Sequence, residues 1–63
     1  MTGTKSVAVV VPAYNEAATI EAVVVDLHNY VDEIIVVDDG SDDRTAESAR
    51  TNGATVITRE ENR

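Results

Sequence analysis

The sequence has no cysteine, phenylalanine or tryptophan, a single proline, and three glycines among 63 residues. Without cysteine there is no disulfide framework, no CxxC redox pair and no thiolate zinc site, and one histidine, His28, does not build an imidazole metal centre. Basic residues are scarce as well: five Lys/Arg stand against twelve Asp/Glu, a net charge of −7. Lys5, Arg44, Arg50, Arg59 and Arg63 are scattered, so there is no basic patch to neutralise phosphates, which argues against a nucleic-acid partner and disfavours anionic membrane surfaces. No apolar run approaches the ~18 residues of a membrane span, and Met1 to Val11 lacks the charged start and small-residue exit of a secretory signal. A cytoplasmic chain is expected.

Large apolar side chains are also few. Of 27 apolar residues eleven are Val and eight are Ala, with Leu27 the one leucine. Such side chains bury little area each, and a chain below about 70 to 80 residues rarely gains more than a few kcal/mol from one core.

What is present is β-branched and periodic. Val7 to Val11 is a continuous apolar run of the kind found in strands covered on both faces, and Pro12 is expected to stop it. From Ala17 the period becomes helical, with Ile20, Val23, Val24, Leu27 and Val31 on one side, Asn15 as N-cap and Glu16 in the first turn. Ile34 to Val37 reads as a second buried strand, followed by the turn composition Asp38-Asp39-Gly40-Ser41-Asp42-Asp43. Ser41 or Asp42 is then expected to cap a second helix that runs to about Asn52, with Ala46 and Ala49 inward and Asn52-Gly53 as its stop. Ala54 to Thr58 completes the order β-α-β-α-β, and Arg59 to Arg63 is a polar exit.

Two right-handed crossovers give an α/β fold with three parallel strands in the order 3-2-1 and both helices on one face. The other sheet face is then bare. The pattern implies that residues 1–63 are the incomplete N-terminal part of a larger α/β domain, or that a self-association partner covers the face.

In a parallel sheet, ligands bind beyond the carboxyl ends of the strands. Two segments meet there: Pro12-Ala13-Tyr14-Asn15-Glu16 and Asp38 to Asp43, on strands about 4.8 Å apart. The first contains no glycine, so close backbone approach to a pyrophosphate is disfavoured. An aromatic ring and several carboxylates suit instead a ribose diol, a base N–H donor, or a cation shared with phosphate.

Val9-Val10-Val11-Pro12-Ala13-Tyr14-Asn15-Glu16, followed about twenty residues later by Ile35-Val36-Val37-Asp38-Asp39-Gly40-Ser41-Asp42-Asp43-Arg44-Thr45, resembles the opening of a family 2 glycosyltransferase of the GT-A fold. The dolichol-phosphate mannosyltransferase-like enzymes are the nearest shade. The resemblance implies the Rossmann-like half of a nucleotide-sugar-binding domain, in which Pro12, Ala13 and Tyr14 line the base and ribose pocket, Glu16 lies near the ribose, Asp39 hydrogen-bonds the base and Asp38 supports that turn. It implies an enzyme that transfers a sugar with inversion from a GDP- or UDP-sugar to a polyprenyl phosphate or saccharide, at the cytoplasmic face of a membrane where the acceptor is a lipid. A divalent cation, Mg or Mn, is expected, with its ligands and the catalytic base beyond residue 63, so the chain by itself is expected to be inactive.

Plainer readings stand beside these. Asp42 and Asp43 read as turn formers and helix-dipole partners, and Arg44 as a surface partner of Asp42, Asp43 or Glu47. Glu16 divides between first-turn residue and ribose ligand, Asp38 between turn former and site residue. Asp39 is read as functional, because two adjacent carboxylates repel and a simple turn would gain as much from Asn or Ser. His28 reads as solvated and Tyr30 as helix-end packing. An EF-hand fails because Gly40 and Glu47 miss the loop positions. A phosphorelay receiver is a weak third reading, because the acidic pair follows the second strand and these residues hold no separate phosphoacceptor Asp or downstream Lys. The reading from a different class is a non-catalytic assembly module that buries its open sheet face against a partner.

Overall fold

The computed structural model describes residues 7–59, in the order β1 (Ala8–Ala13), α1 (Ala17–Leu27), β2 (Glu33–Asp38), α2 (Thr45–Thr51) and β3 (Thr55–Thr58). The expected exit beyond Arg59 lies outside the described residues. All pairings are parallel and the sheet order is β1-β2-β3, the expected βαβαβ unit.

The valine runs alternate in their burial. Ile34 and Val36 of β2 are buried in a core with Ala13 of β1, Ile20 and Val24 of α1, Ala49 of α2, and Ala54, and Asp38 is buried at the end of the same strand. Val9, Val11, Leu27, Val31 and Val56 pack against it. Both helices therefore cover one face. On the other, Val10 is 60% and Ile57 51% exposed, Pro12 is exposed, and Ile35 and Val37 are half-buried. The register lines them up as Val10–Ile35 and Pro12–Val37–Ile57, so the expected bare apolar face is present.

Pro12 does not stop β1, which runs on to Ala13. The carbonyls of Val7 and Ala13 accept N–H groups from Glu33 and Asp39. Odd positions thus turn their backbone polar groups toward β2, and Pro12 turns its nitrogen outward on an edge strand, where no donor is missed. Asn15 is not the N-cap of α1; Glu16 is, with its carbonyl accepting from Ile20 N–H at 2.8 Å, and it precedes the first turn rather than lying in it. Along α1, Ile20 and Val24 are buried, Leu27 is half-buried and Val23 is 40% exposed. The second helix starts at Thr45, later than Ser41 or Asp42 would cap it, and buries Thr45 and Ala49 while Ala46 is half-buried. Its end is as expected: Gly53 adopts φ 97°, a left-handed conformation suited to glycine. Tyr30 is 73% exposed and does not pack the helix end. His28, also exposed, donates from Nε2 to the Asn52 carbonyl at 2.9 Å, tying the ends of the two helices.

Candidate functional site

The three strands finish level with one another. Ala13 pairs with Asp38, and Asp38 with Thr58. The ladder continues one step past the strands, with Asp39 N–H donating to the Ala13 carbonyl at 2.9 Å and Arg59 N–H to the Asp38 carbonyl at 2.8 Å. Tyr14, Asp39 and Arg59 thus leave the sheet side by side at its carboxyl edge.

Beyond that edge the β1–α1 and β2–α2 loops are sewn together by side chains. Ser41 Oγ accepts the Asn15 N–H at 2.7 Å and donates to Asp38 Oδ1, which also accepts the Ser41 N–H at 3.3 Å. Asn15 Oδ1 accepts the Asp42 N–H at 2.7 Å. Thr45 Oγ1 accepts the Glu16 N–H at 2.7 Å and donates to Asp43 Oδ1, which takes the Thr45 N–H at 2.9 Å. Asp43 Oδ2 accepts the Ala17 N–H at 3.2 Å. Each hydroxyl has one proton. Because it accepts a backbone N–H, that proton is turned toward a carboxylate. The Thr45 hydroxyl bond, with the Ala17 and Thr45 N–H bonds, holds the Asp43 carboxyl below the usual carboxylate range against its partial desolvation. Asp43 therefore serves both helices: it meets the first free N–H of each.

Within these two loops, two residues take φ values that suit few side chains. Asn15 has φ 50° and Gly40 φ 79°; asparagine tolerates the left-handed region and glycine is at home there. They turn the two loops toward each other.

The sequence-predicted residues divide accordingly. Tyr14 is 50% exposed, Pro12 and Glu16 are exposed, and the Asp39 side chain retains 46% of its exposure. Ala13 and Asp38, 4% and 3% exposed, face the core side. Ala13 therefore has no free side-chain surface for a ligand, and Asp38 shapes the turn through Ser41. Arg44 pairs with Glu47 at 2.9 Å, both well exposed. A shallow groove between the helices is bordered by Glu21, Arg44 and Asn52 and is lined by none of the sequence-predicted residues.

Sequence reasoning missed Asn15, Ser41, Thr45 and Arg59. The signal for two of them was legible: an Asp followed two or three residues later by Ser or Thr is a local side-chain turn pattern. The ties across to the other loop were not.

Among the described residues no three acidic or histidine side chains gather to hold a metal ion. Asp38 and Asp43 are engaged in hydrogen bonds. The described residues do not fit a cation site.

Residues 8–63 match the family described as glycosyl transferase family 2. Glucosyl-3-phosphoglycerate synthase of Mycobacterium tuberculosis (strain ATCC 25618 / H37Rv) is 44% identical over 61 residues, 90% of this chain and 19% of that protein. The enzyme of the same description from Mycolicibacterium smegmatis is 45% identical over 60 residues, 89% of this chain and 20% of that one. The crystal structure of the M. tuberculosis synthase with Mg2+ and uridine diphosphate superposes with a TM-score of 0.76 at 43% identity, covering 86% of this chain and 21% of that one. The chain spans about one fifth of the length of the curated relatives it matches. The finer likeness to dolichol-phosphate mannosyltransferase-like enzymes has no support in these relatives.

Proposed function

The chain belongs to glycosyl transferase family 2, and from that premise we propose that it is the donor nucleotide-binding, N-terminal segment of a cytoplasmic glycosyltransferase that takes a UDP-sugar. Tyr14 offers a ring to the base, Glu16 a carboxylate to the ribose, and Asp39 an acceptor to a base N–H. Pro12 borders the pocket, Ala13 contributes backbone, and Asp38 holds the turn. The observation that carries this reading is the set of side-chain ties at two adjacent strand ends, which fixes the loops while leaving Tyr14, Glu16 and Asp39 accessible. Uracil is preferred to guanine because the similar synthase binds uridine diphosphate and, in another complex, UDP-glucose with Mn2+ and phosphoglyceric acid. A phosphorylated hydroxy acid is correspondingly preferred to a polyprenyl phosphate or saccharide as acceptor. The relatives lend no support to inversion. Mg2+ or Mn2+, which would supply positive charge to the donor diphosphate, would be held by residues other than those described, and a catalytic base would likewise lie among other residues.

The test is a nitrogen-15 NMR titration of the chain with UDP and GDP, each with and without Mn2+ or Mg2+ (Mg2+ for mapping). Weak binding is expected, stronger for UDP, little changed by the cation, with shifts confined to Tyr14–Glu16 and Asp39–Ser41 and lost in Asp39→Ala. Shifts centred elsewhere, or none with either nucleotide, would refute it.

The bare sheet face favours a second feature of the same protein: Val10, Pro12, Ile35, Val37 and Ile57 are an apolar strip of the kind that marks a contact surface. Its occupant in this reading is the remainder of a glycosyltransferase domain; a self-associating assembly module is the alternative, and sedimentation at rising concentration separates the two.

A further inference from the structure

Arg59 follows β3 directly, and its N–H bond to the Asp38 carbonyl holds its backbone level with Asp39. Its Nε lies 3.6 Å from Asp39 Oδ1, with the Arg59 side chain 60% exposed. That oxygen is shut off from solvent and, among the described residues, has no hydrogen-bond partner. The side chain as a whole nevertheless keeps 46% of its exposure, so the accessible part lies away from Oδ1. A carboxylate oxygen that has lost water and gained no donor is unfavourable unless a positive charge stands close by. Arg59 supplies that charge.

We propose that Arg59 is a positioning residue for donor binding: its guanidinium holds Asp39 in the rotamer that turns Oδ1 inward and leaves Oδ2 at the crevice to accept from the ligand. This rests on the reading of Asp39 as a donor contact. Arg59 acts through Asp39, and a lysine, with charge but no planar fork, replaces it in part.

The test uses the 63-residue chain and four variants: Arg59→Gln, Arg59→Lys, Asp39→Asn and the double variant Arg59→Gln/Asp39→Asn. Three-bond couplings to Asp39 Cγ report its χ1 rotamer without any ligand, and titration with UDP reports affinity. A single rotamer is expected in the parent chain, averaging in Arg59→Gln and partial recovery in Arg59→Lys. UDP affinity falls roughly 2- to 5-fold in Arg59→Gln, the range of an exposed ion pair, and the same change has no effect in the Asp39→Asn background. If Arg59→Gln leaves both rotamer and affinity unchanged while Asp39→Asn weakens binding, the positioning role is overturned and the donor reading stands. If UDP binds the parent and Asp39→Asn equally, or binds neither, both fall.

Discussion

Replacing Thr45 by valine tests whether the loops are held by hydroxyl ties or by packing. Thr45 is fully buried, and valine matches its shape, so an account based on packing alone predicts almost no loss, or a small gain from the extra apolar group. The ties predict otherwise. Thr45 Oγ1 is the acceptor for the part-buried Glu16 N–H at 2.7 Å, and valine leaves that donor without a partner, which costs about 1 to 3 kcal/mol. The exposed Asp43 carboxylate loses a bond too, but water replaces it. For 63 residues one core rarely supplies more than about 3 to 5 kcal/mol, so the loss is a large share. With a urea slope near 1 kcal/mol per molar for so small a chain, the midpoint drops by roughly 1 to 3 M. Thr45→Ser keeps the hydroxyl and removes one buried methyl, worth about 1 kcal/mol, and serves as the control. Urea unfolding followed by circular dichroism gives the energies, and hydrogen exchange at the Glu16 amide gives the cause: fast in Thr45→Val, protected in Thr45→Ser. A Thr45→Val chain within about 0.5 kcal/mol of the parent, with the Glu16 amide still protected, would sink the idea.

Two further outcomes follow from the same geometry. The Asp43 carboxyl is held below the ordinary carboxylate value, chiefly by the Thr45 hydroxyl; its contribution is therefore complete above the unfolded value and is lost as pH falls through the lower folded one, so acid unfolding monitored by circular dichroism shows a drop below about pH 4 that Asp43→Asn flattens. Gly53→Ala meets both a φ of 97° and a Cβ contact 2.9 Å from His28 Nε2; thermal melts show a loss of roughly 1 to 2 kcal/mol, of which His28→Ala relieves the steric part and leaves the backbone part.

The order of elements, the parallel sheet and the bare face were legible because hydrophobic period and crossover handedness are properties of neighbouring residues. Ile20, Val24 and Leu27, at helical spacing, and Ile34 and Val36, at strand spacing, place themselves. The errors share another origin. Pro12 reads as a stop from its own strand because the edge position of β1, which frees its nitrogen, belongs to the sheet and not to the strand. Asn15 and Ser41 read as caps of their own helices because capping rules are local, whereas in the fold Asn15 Oδ1 meets the Asp42 N–H and Ser41 Oγ the Asn15 N–H, 27 and 26 residues apart. Arg59 reads as part of a polar exit, since nothing in its neighbours says that β3 ends level with β2.

The acidic pair at the end of β2 shows how such a site divides its labour. The loop after β1 contains no glycine, so its backbone cannot be shaped by conformational freedom and is held in place from the opposite loop. That requires acceptors for hydroxyls already committed to backbone N–H groups, and Asp38 and Asp43 provide them. Asp38 points to the core side and is consumed by the turn. Alternation along the strand then sends Asp39 the other way, to the solvent side of the same edge, where Arg59 is its one ionic partner among the described residues. Two adjacent carboxylates that would repel in a simple turn are thereby separated by the pleat, one buried in the turn and one left accessible at the crevice. Exchanging them should be asymmetric: Asp38→Asn, which keeps an acceptor for Ser41, perturbs loop exchange rates first and UDP affinity through them, whereas Asp39→Asn leaves loop exchange untouched and lowers UDP affinity directly, a contrast that equal effects of the two variants on both readouts would overturn.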